Sequence, residues 1–527
     1  MKKIFKSILL VSVIASLAAC TKGFEQLNQH EYWPSDEQMA QDGLAVGSLF
    51  QALQRSVFVH GDDRDSDYQI AYNLCADTWV GYTTPTKTFD SGHFHDAWDF
   101  CDQYCSALFN MKNTSVIGSY AEFAKSATEL NMENELALAT VIRVASMHQV
   151  ADYYGPIAYS TTGSLTNTYD PLDKVYEQFF EELDSSIEIL EKVATSGGKL
   201  MEDYDIVYNG DAAKWVKFAN SLRLRLAMRV RYANEQLARE EAEKSINSPG
   251  GLIEANSENA VYAEPNKLHF LHEIGLVFNN NGGDAHLNAS LDSYLNGYND
   301  PRKFKFASAA VDGNVHGVYP GIGVSSYTNY LNAAGKVSPL NAAAYNITWI
   351  NAAEVAFLRA EGALVGWNMG GSAQDFYEQG ITLSFEEWGA DGAMAYIADK
   401  TSKPADFKDN VGRNSAPAPS TVTIAWSEGD DLETKLEKIG TQKWLALFPN
   451  GCEAWAEYRR LHYPKIFPPK RNLSNDTVNI NQGVRRVPYP ENEKNTNPEG
   501  YASGVAALGG PDTGGTRLWW DQKPFIY

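Results

Sequence analysis

Apolar side chains recur at helical spacing along several stretches of the chain. The clearest stripe places six of them at i, i+3, i+4, i+7, i+11 and i+14: Tyr176, Phe179, Phe180, Leu183, Ile187 and Leu190. This spacing puts side chains on one face of an α-helix. Asp170 and Pro171 stand just before the stripe, as the expected N-cap and first helical residue. The pattern predicts an amphipathic helix that begins at Pro171.

Other stretches repeat the pattern and carry their own start signals. Asp211 precedes a second apolar stripe, and Ser372 to Asp375 fits a capping box. The predicted helices fall roughly within residues 37–57, 132–247, 349–399 and 431–462. They come in pairs separated by short turns, as in tetratricopeptide-like repeats, although no strict period of about 34 residues recurs. We predict a mainly α fold of helix pairs joined by long irregular loops.

Two of these loops are the best places to search for a binding surface. They span roughly residues 58–105 and 250–345 and are rich in Gly, Asn, Ser and Tyr. Loops of that length in a compact protein are usually functional or disordered. Because these loops also hold Trp and Tyr, an ordered ligand face is the better interpretation.

The first residues carry export signals. Lys2, Lys3 and Lys6 precede an apolar run of twelve residues that ends in Leu17-Ala18-Ala19-Cys20. Crossing a bilayer takes about 20 residues, so the run is too short for a transmembrane helix and fits a signal peptide. The segment resembles the lipobox of bacterial lipoproteins, which implies lipidation of Cys20 and removal of residues 1–19. The alternative is an ordinary signal peptide with a coincidental cysteine.

Composition narrows the classes of partner. The net charge of −22 disfavours binding to nucleic acid and to anionic lipid surfaces. Four cysteines follow Cys20, at positions 75, 101, 105 and 452, and no second Cys or His pair stands at zinc spacing. These thiols are either buried apolar residues or partners in a disulfide, and the sequence leaves both open. We predict no metal site and no cofactor.

Six segments, in order along the chain, are similar to the SusD/RagB family of outer-membrane nutrient-binding lipoproteins. They are residues 151–160, 210–225, 299–302, 354–361, 442–455 and 519–521. The second reads GDAAKWVKFANSLRLR, and the fourth reads EVAFLRAE. The first departs from the family pattern at Ala158, where proline is usual.

This resemblance implies a single domain over residues 20–527, with tetratricopeptide-like helix pairs as its scaffold. It also implies a lipid-anchored protein of the outer membrane that works with a SusC-like TonB-dependent transporter. Members of the family bind glycans or peptides without altering them. An oligosaccharide ligand is therefore favoured, with an oligopeptide as the alternative, and no enzymatic activity is expected.

Residues 75–105 contain the densest group of aromatic side chains. Aromatic faces can stack on sugar rings or anchor peptides. We take Trp79, Tyr82, His93 and Trp98 as candidate ligand-binding residues. The alternative is that these side chains belong to the core, which is the favoured interpretation for Phe100 and Tyr104.

A second candidate group follows in the loop of residues 250–345. It comprises Asn280, Tyr319, Tyr327 and Tyr330, near a Tyr-Pro-Gly turn that could present the rings. Asparagine is also common in plain turns, so its presence alone does not identify a site.

Sequence signatures of enzymes are scarce. The chain lacks the metalloprotease motifs, the G-x-S-x-G elbow and the P-loop. A glycoside hydrolase needs only two opposed carboxyl groups, which no short motif reveals. A surface glycoside hydrolase is therefore the alternative function.

Overall fold

The apolar stripe after Pro171 forms the helix Leu172–Thr195 in the computed structural model. The structure describes residues 44–59, 65–161, 167–262, 277, 284–323, 329–330, 333, 335–341 and 346–526. This helix begins one residue later than predicted, because Pro171 occupies the N-cap position. Asp170 instead accepts hydrogen bonds from the backbone N–H groups of Tyr159 and Ser160. Its carboxylate thus fixes the preceding turn rather than the helix.

Helices dominate the described residues, which confirms the predicted mainly α fold. The longer ones are α1 (Leu44–Arg55), α2 (Gly118–Glu129), α3 (Glu133–Tyr154), α4 (Leu172–Thr195), α5 (Ala212–Arg229), α6 (Glu235–Asn247), α7 (Ala289–Gly297), α8 (Ala352–Leu364), α9 (Ala373–Glu387), α10 (Leu432–Leu447), α11 (Gly451–Leu461) and α12 (Pro498–Leu508). The remaining helical segments are the nine-residue π-helix Gln69–Asp77 and the short turns Asp65–Tyr68, Asp90–Gly92, His95–Ala97, Asp102–Cys105, Ala107–Lys112, Asn113–Ile117, Asn256–Glu258, Lys303–Phe306, Ala393–Ile397 and Glu493–Thr496.

Several helix starts follow the predicted chemistry. The side chain of Asp211 accepts the N–H of Lys214, and that of Ser372 accepts the N–H of Asp375. The return half of the predicted capping box differs, because the Ser372 hydroxyl bonds to the Asp375 carboxylate at 2.7 Å. Each cap satisfies a backbone donor that the first helical turn leaves unpaired.

Consecutive helices pack side by side, as expected for helix pairs. α3 packs on α4, α4 on α5 and α5 on α6, and a second group brings α8 against both α9 and α10. Residues from Leu49 onward form one compact unit. Two small antiparallel sheets add to the helices: β1 (Thr83–Pro85) pairs with β3 (Ala285–Leu287), and β2 (Val261–Tyr262) with β4 (Ile347–Thr348).

The interior between these helices contains a network of buried ion pairs. Arg225 of α5 binds Glu354 of α8 through two N–H groups, each 2.7 Å from a carboxylate oxygen. Arg229 binds Glu453 of α11 at 2.5 Å, and all four side chains are buried. These charged residues of α5, α8 and α11 therefore link neighbouring helices by ion pairs in the interior of the protein.

The loop of residues 250–345 contains a helix that the sequence interpretation did not include. Leu291, Tyr294, Leu295 and Tyr298 repeat the helical spacing, and the Asn288 side chain caps α7 by accepting the N–H of Ser290. β1 and β3 connect this region to the first candidate loop, with Thr83 opposite Leu287. The fold thereby places the two candidate regions beside each other.

Candidate functional site

The two loops that the sequence marked as candidates meet in the structure. The carboxylate of Asp96 accepts the backbone N–H of Gly321 at 2.5 Å. The hydroxyl of Thr84 donates to the carbonyl of Val318 at 3.0 Å. A third segment joins them, since the N–H of Leu473 donates to the carbonyl of Ala97 at 2.8 Å. Three chain segments that are far apart in sequence therefore form one surface.

A cavity of about 420 Å³ opens at this junction. Its aromatic lining consists of Trp79, Trp98, Tyr458 and Phe467, and its polar lining of Thr78, Asp96, Asn288 and Asn481. Small and aliphatic residues complete the wall: Gly81, Pro320, Ile466, Pro468, Pro469, Ile480 and Gly483. A mainly apolar cavity with a few polar groups is the usual form of a small-molecule binding site.

Trp98 is the most distinctive side chain in this wall. Its backbone is left-handed, with φ 61° and ψ 35°, and its N–H donates to the carbonyl of His95 at 3.2 Å. Bulky residues rarely adopt this conformation, and such strain concentrates at functional sites. Trp98 lines the cavity, only 6% of the residue is exposed, and its ring packs on no other aromatic ring in the described part of the chain. The left-handed backbone therefore fixes this ring in the cavity wall, where a small part of it is accessible.

Trp79 lines the same cavity but is also part of the core. Its ring packs against Trp455 and Phe100, with centroid distances of 5.1 and 5.8 Å. Its indole N–H donates to the carbonyl of His95 at 3.1 Å, and only 7% of the residue is exposed. Trp79 thus supports the wall as much as it forms it.

Tyr82 lies in the interior and does not line the cavity. Its hydroxyl donates to the carbonyl of Trp444 at 2.5 Å, and its ring stacks on Trp444 at 5.4 Å. The residue is fully buried, and burial holds the pKa of its hydroxyl well above the usual range. This burial argues against direct contact between Tyr82 and a ligand.

Tyr319 and Tyr330 are both buried, and neither lines the cavity. Tyr319 packs on Phe467, a cavity residue, at 5.3 Å, and the ammonium group of Lys470 lies 4.4 Å from the centre of its ring. Tyr330 donates its hydroxyl to Asp409 at 2.5 Å. Tyr319 therefore supports the cavity wall through Phe467, whereas Tyr330 anchors its own segment to Asp409.

The remaining candidates lie elsewhere. His93 is partly exposed, with its Nδ1 3.1 Å from a carboxylate oxygen of Asp99, and it does not line the cavity. Asn280, Tyr327 and Cys20 lie outside the described residues.

Several cavity residues were not among the candidates predicted from the sequence. Tyr458 sits on α11, which was interpreted as scaffold only. Asn288 caps α7, and its side-chain N–H donates to the Thr84 hydroxyl at 2.8 Å. Pro468, Pro469 and Asn481 belong to a loop near the C-terminus. The Phe-Pro-Pro run at 467–469 was a usable signal, since adjacent prolines stiffen a loop.

The three cysteines near the first candidate loop are buried free thiols. Burial raises the pKa of the Cys101 thiol to about 12 and also raises those of Cys75 and Cys105. Buried thiols with raised pKa values are unreactive and behave as small apolar residues. No cluster of metal-ligating side chains occurs among the residues that the structure describes.

Over the same described ranges, the helices are all too short or too polar to cross a membrane.

Comparisons with known proteins show which family and which solved structures this chain resembles. The family described as "Susd and RagB outer membrane lipoprotein" matches residues 26–521. A chitin-binding SusD homologue from Flavobacterium johnsoniae is 36% identical, with a TM-score of 0.86 over 90% of this chain and 98% of that one. A SusD homologue from Bacteroides uniformis is 37% identical, with a TM-score of 0.85 over 91% and 99% of the two chains. A third, from Bacteroides ovatus, is 34% identical, with a TM-score of 0.82 over 92% and 100%. A search of curated proteins gave no match.

Proposed function

This chain belongs to the SusD-like family of Susd and RagB outer membrane lipoproteins, and from that premise we propose that its cavity binds an oligosaccharide nutrient. The observation that carries the proposal is the Trp98 ring, which lines the cavity and has no aromatic partner among the described residues. Sugar rings present C–H groups that pack on a flat aromatic face, while amide and carboxyl groups bind the hydroxyls. Asn288, Asn481 and Asp96 supply such groups in the same wall.

Similarity to the chitin-binding homologue supports a glycan over a peptide. It also makes oligomers of N-acetylglucosamine the first ligands to test. An oligopeptide remains the alternative ligand, because aromatic side chains also anchor peptides.

The composition of the cavity wall favours binding over glycoside hydrolysis. Asp96 is the single carboxyl group in the described lining, and one of its oxygens already accepts the N–H of Gly321. Most glycoside hydrolases use two carboxyl groups on opposite sides of the scissile bond. We therefore propose that the ligand leaves the cavity unchanged.

We further propose that residues 20–527 form one domain, anchored by lipid on Cys20, that passes its ligand to a SusC-like TonB-dependent transporter. The family description as an outer membrane lipoprotein supports the location. More than one acyl chain gives stable attachment, because each buried CH₂ contributes roughly 0.8 kcal/mol.

The binding proposal is tested by titrating Trp98→Asn with oligomers of N-acetylglucosamine in a calorimeter. Asn tolerates the left-handed backbone, so the change removes the ring without adding strain. We expect affinity to fall by about tenfold to a hundredfold, as for the loss of a central aromatic contact. Trp519→Asn, a change at a half-buried tryptophan outside the cavity, should leave affinity unchanged. Equal affinity for Trp98→Asn and the unaltered protein would remove the cavity as the binding site.

The anchoring proposal is tested by Cys20→Ala in cells that produce the protein together with its proposed SusC-like transporter. We expect the variant to leave the membrane fraction, and the unaltered protein to co-purify with a large barrel protein. Membrane retention of the variant would contradict lipidation of Cys20.

A further inference from the structure

A second, smaller cavity lies where the ends of four helices meet. It encloses about 40 Å³, and one of about 20 Å³ adjoins it, with four lining residues in common: Phe58, Thr348, Trp349 and Asn450. Asn351 caps the start of α8 and Asn450 the start of α11, while Glu387 and Leu447 end α9 and α10. This place is separate from the Trp98 cavity, with which it has no lining residue in common.

Trp349 lines both small cavities, and its indole N–H is not satisfied among the described residues. The residue is 4% exposed, and its Nε1 has no hydrogen-bond partner among the described residues. The ring cannot turn away, because it packs on Phe218 at 5.9 Å and on Trp215 at 6.3 Å. Its carbonyl is also fixed, by Arg225 at 2.7 Å. A buried donor without an acceptor is strongly disfavoured, so something must accept this hydrogen bond.

Glu387 supplies a carboxyl group to the lining of the larger cavity. Glu387 accepts the side-chain N–H groups of Asn351 at 2.9 Å and Asn259 at 3.3 Å. No cation lies within ion-pair distance of it in the described structure, and burial raises the pKa of this carboxyl to about 7. The lining of the larger of the two cavities thus includes a residue with an unpaired hydrogen-bond donor and a residue with a carboxyl group.

We infer that these two cavities hold internal water molecules, whose hydroxyl groups make the missing hydrogen bonds. In the larger cavity, only a group that both accepts and donates serves the Trp349 N–H and the Glu387 carboxyl together. A water molecule needs roughly 10–15 Å³ of such space and two to four polar partners, which both cavities offer. A metal ion would leave the indole N–H without an acceptor.

The water has a structural role beyond Trp349. The smaller cavity is also lined by Gln149, Asp152, Arg225 and Glu453, so it reaches the buried ion pairs between the helices. Removing ions from water is the main cost of a buried ion pair. Water held at this place keeps partial hydration for Arg225 and Glu453 while their helices stay packed.

The first test is a crystal structure of the unaltered protein at a resolution that shows ordered water. We expect electron density for water within hydrogen-bond distance of Trp349 Nε1. A matching crystal pressurised with xenon should show no xenon there, because xenon enters dry apolar cavities. Absence of water density, or xenon in either cavity, would overturn the inference.

A solution measurement gives an independent answer. Oxygen-17 magnetic relaxation dispersion counts long-lived internal water molecules. Trp349→Phe removes the donor, and we expect the count to fall by at least one. Trp426→Phe is the matched control, because its indole N–H donates to Glu428 at 2.9 Å and lines neither cavity. An unchanged count in Trp349→Phe would contradict the inference.

Discussion

The helical interior and the wall of the Trp98 cavity use polar groups in opposite ways. Between the helices, Arg229 lies 2.5 Å from Glu453, and Arg460 lies 2.6 Å from both Glu361 and Glu457. The cavity wall holds one carboxyl group, Asp96, and otherwise presents rings, prolines and amides, as far as the structure describes it. Charged side chains hold the helical body together, whereas the proposed recognition surface is neutral apart from Asp96.

One arginine of the interior departs from this pairing. Arg459 donates to the carbonyls of Asp152 and Arg485 at 2.6 and 2.9 Å, and its guanidinium lies 3.5 Å from the centre of the Trp455 ring. Burial lowers the pKa of this guanidinium to about 9, with further lowering from Arg485 and Arg229. Main-chain carbonyls and an aromatic ring here replace the carboxylate of an ion pair. Trp455 also packs on Trp79, so the interior and the cavity wall touch at this ring.

The largest effect should follow from opening the ion-pair network. Arg229→Met removes a fully buried charge and leaves Glu453 facing one partner fewer. Breaking a buried pair in this way typically lowers the free energy of unfolding by about 3–5 kcal/mol. Urea denaturation of the variant and the unaltered protein measures the loss.

Lys192→Met is the matched control for that variant. Lys192 pairs with Glu188 at 2.9 Å on the surface, where both side chains are at least 70% exposed. Exposed pairs of this kind contribute little to stability, because water and salt screen them, so we expect almost no change in the free energy of unfolding. Similar losses for the two variants would mean that burial does not distinguish these ion pairs.

The next effect separates the two tryptophans of the cavity. Trp79→Ala removes a ring that packs on Trp455 and Phe100, and we expect it to lower the free energy of unfolding by about 3 kcal/mol. Trp98→Asn removes a ring that is equally buried but packs on no other aromatic ring, and it relieves a strained backbone, so we expect a smaller loss of about 2 kcal/mol. Thermal and urea denaturation measure both. A loss of stability for Trp98→Asn that exceeds the loss for Trp79→Ala would place Trp98 in the core and weaken its proposed role in recognition.

Sequence patterns could predict the scaffold because its signals are local. A stripe at helical spacing and a cap such as Asp211 act within a few residues of each other. The helix α7 was missed because Gly and Asn around it are typical of loops, although Leu291 and Tyr294 carry the helical spacing.

The cavity could be predicted only in part, because its residues come together through the tertiary fold. Trp79 and Trp98 were found from local aromatic density, but that density could not separate them from Tyr82, which points into the interior. Tyr458 lies more than 350 residues from Trp98 in sequence and faces the cavity from a scaffold helix. No local pattern reveals such an approach.

We expect the free energy of unfolding to depend on pH because of Asp77, which lies between the helical interior and the cavity wall. Asp77 is buried just before the cavity residues Thr78 and Trp79, and burial raises the pKa of its carboxyl from 3.8 to about 7. In the unfolded chain this carboxyl ionises near pH 4, whereas in the folded protein it keeps its proton up to about pH 7. Stability should therefore fall as pH rises from 4 to 7, by about 1 kcal/mol per pH unit from this group. Above pH 7 the contribution is constant.

Asp77→Asn tests this assignment, because asparagine stays neutral at every pH. The free energy of unfolding, measured from pH 4 to 8, should fall less steeply for the variant than for the unaltered protein. Tyr68 and Gly451 donate to the Asp77 carboxyl, and the amide oxygen of asparagine can still accept one of these bonds. Parallel profiles for the two proteins would show that Asp77 is ionised over the whole range.

The smallest effect is expected at His93, a predicted ligand-binding residue that lies outside both the helical interior and the cavity wall. Its Nδ1 lies 3.1 Å from Asp99, with 37% and 27% of the two side chains exposed, and the residue does not line the cavity. His93→Ala should therefore change the free energy of unfolding by about 0.5 kcal/mol or less, as for other exposed pairs. Its affinity for N-acetylglucosamine oligomers, measured by the same titration as for Trp98→Asn, should stay within about twofold of the unaltered protein. A tenfold loss of affinity with unchanged stability would extend the ligand-binding surface beyond the cavity to the exposed edge of the first loop.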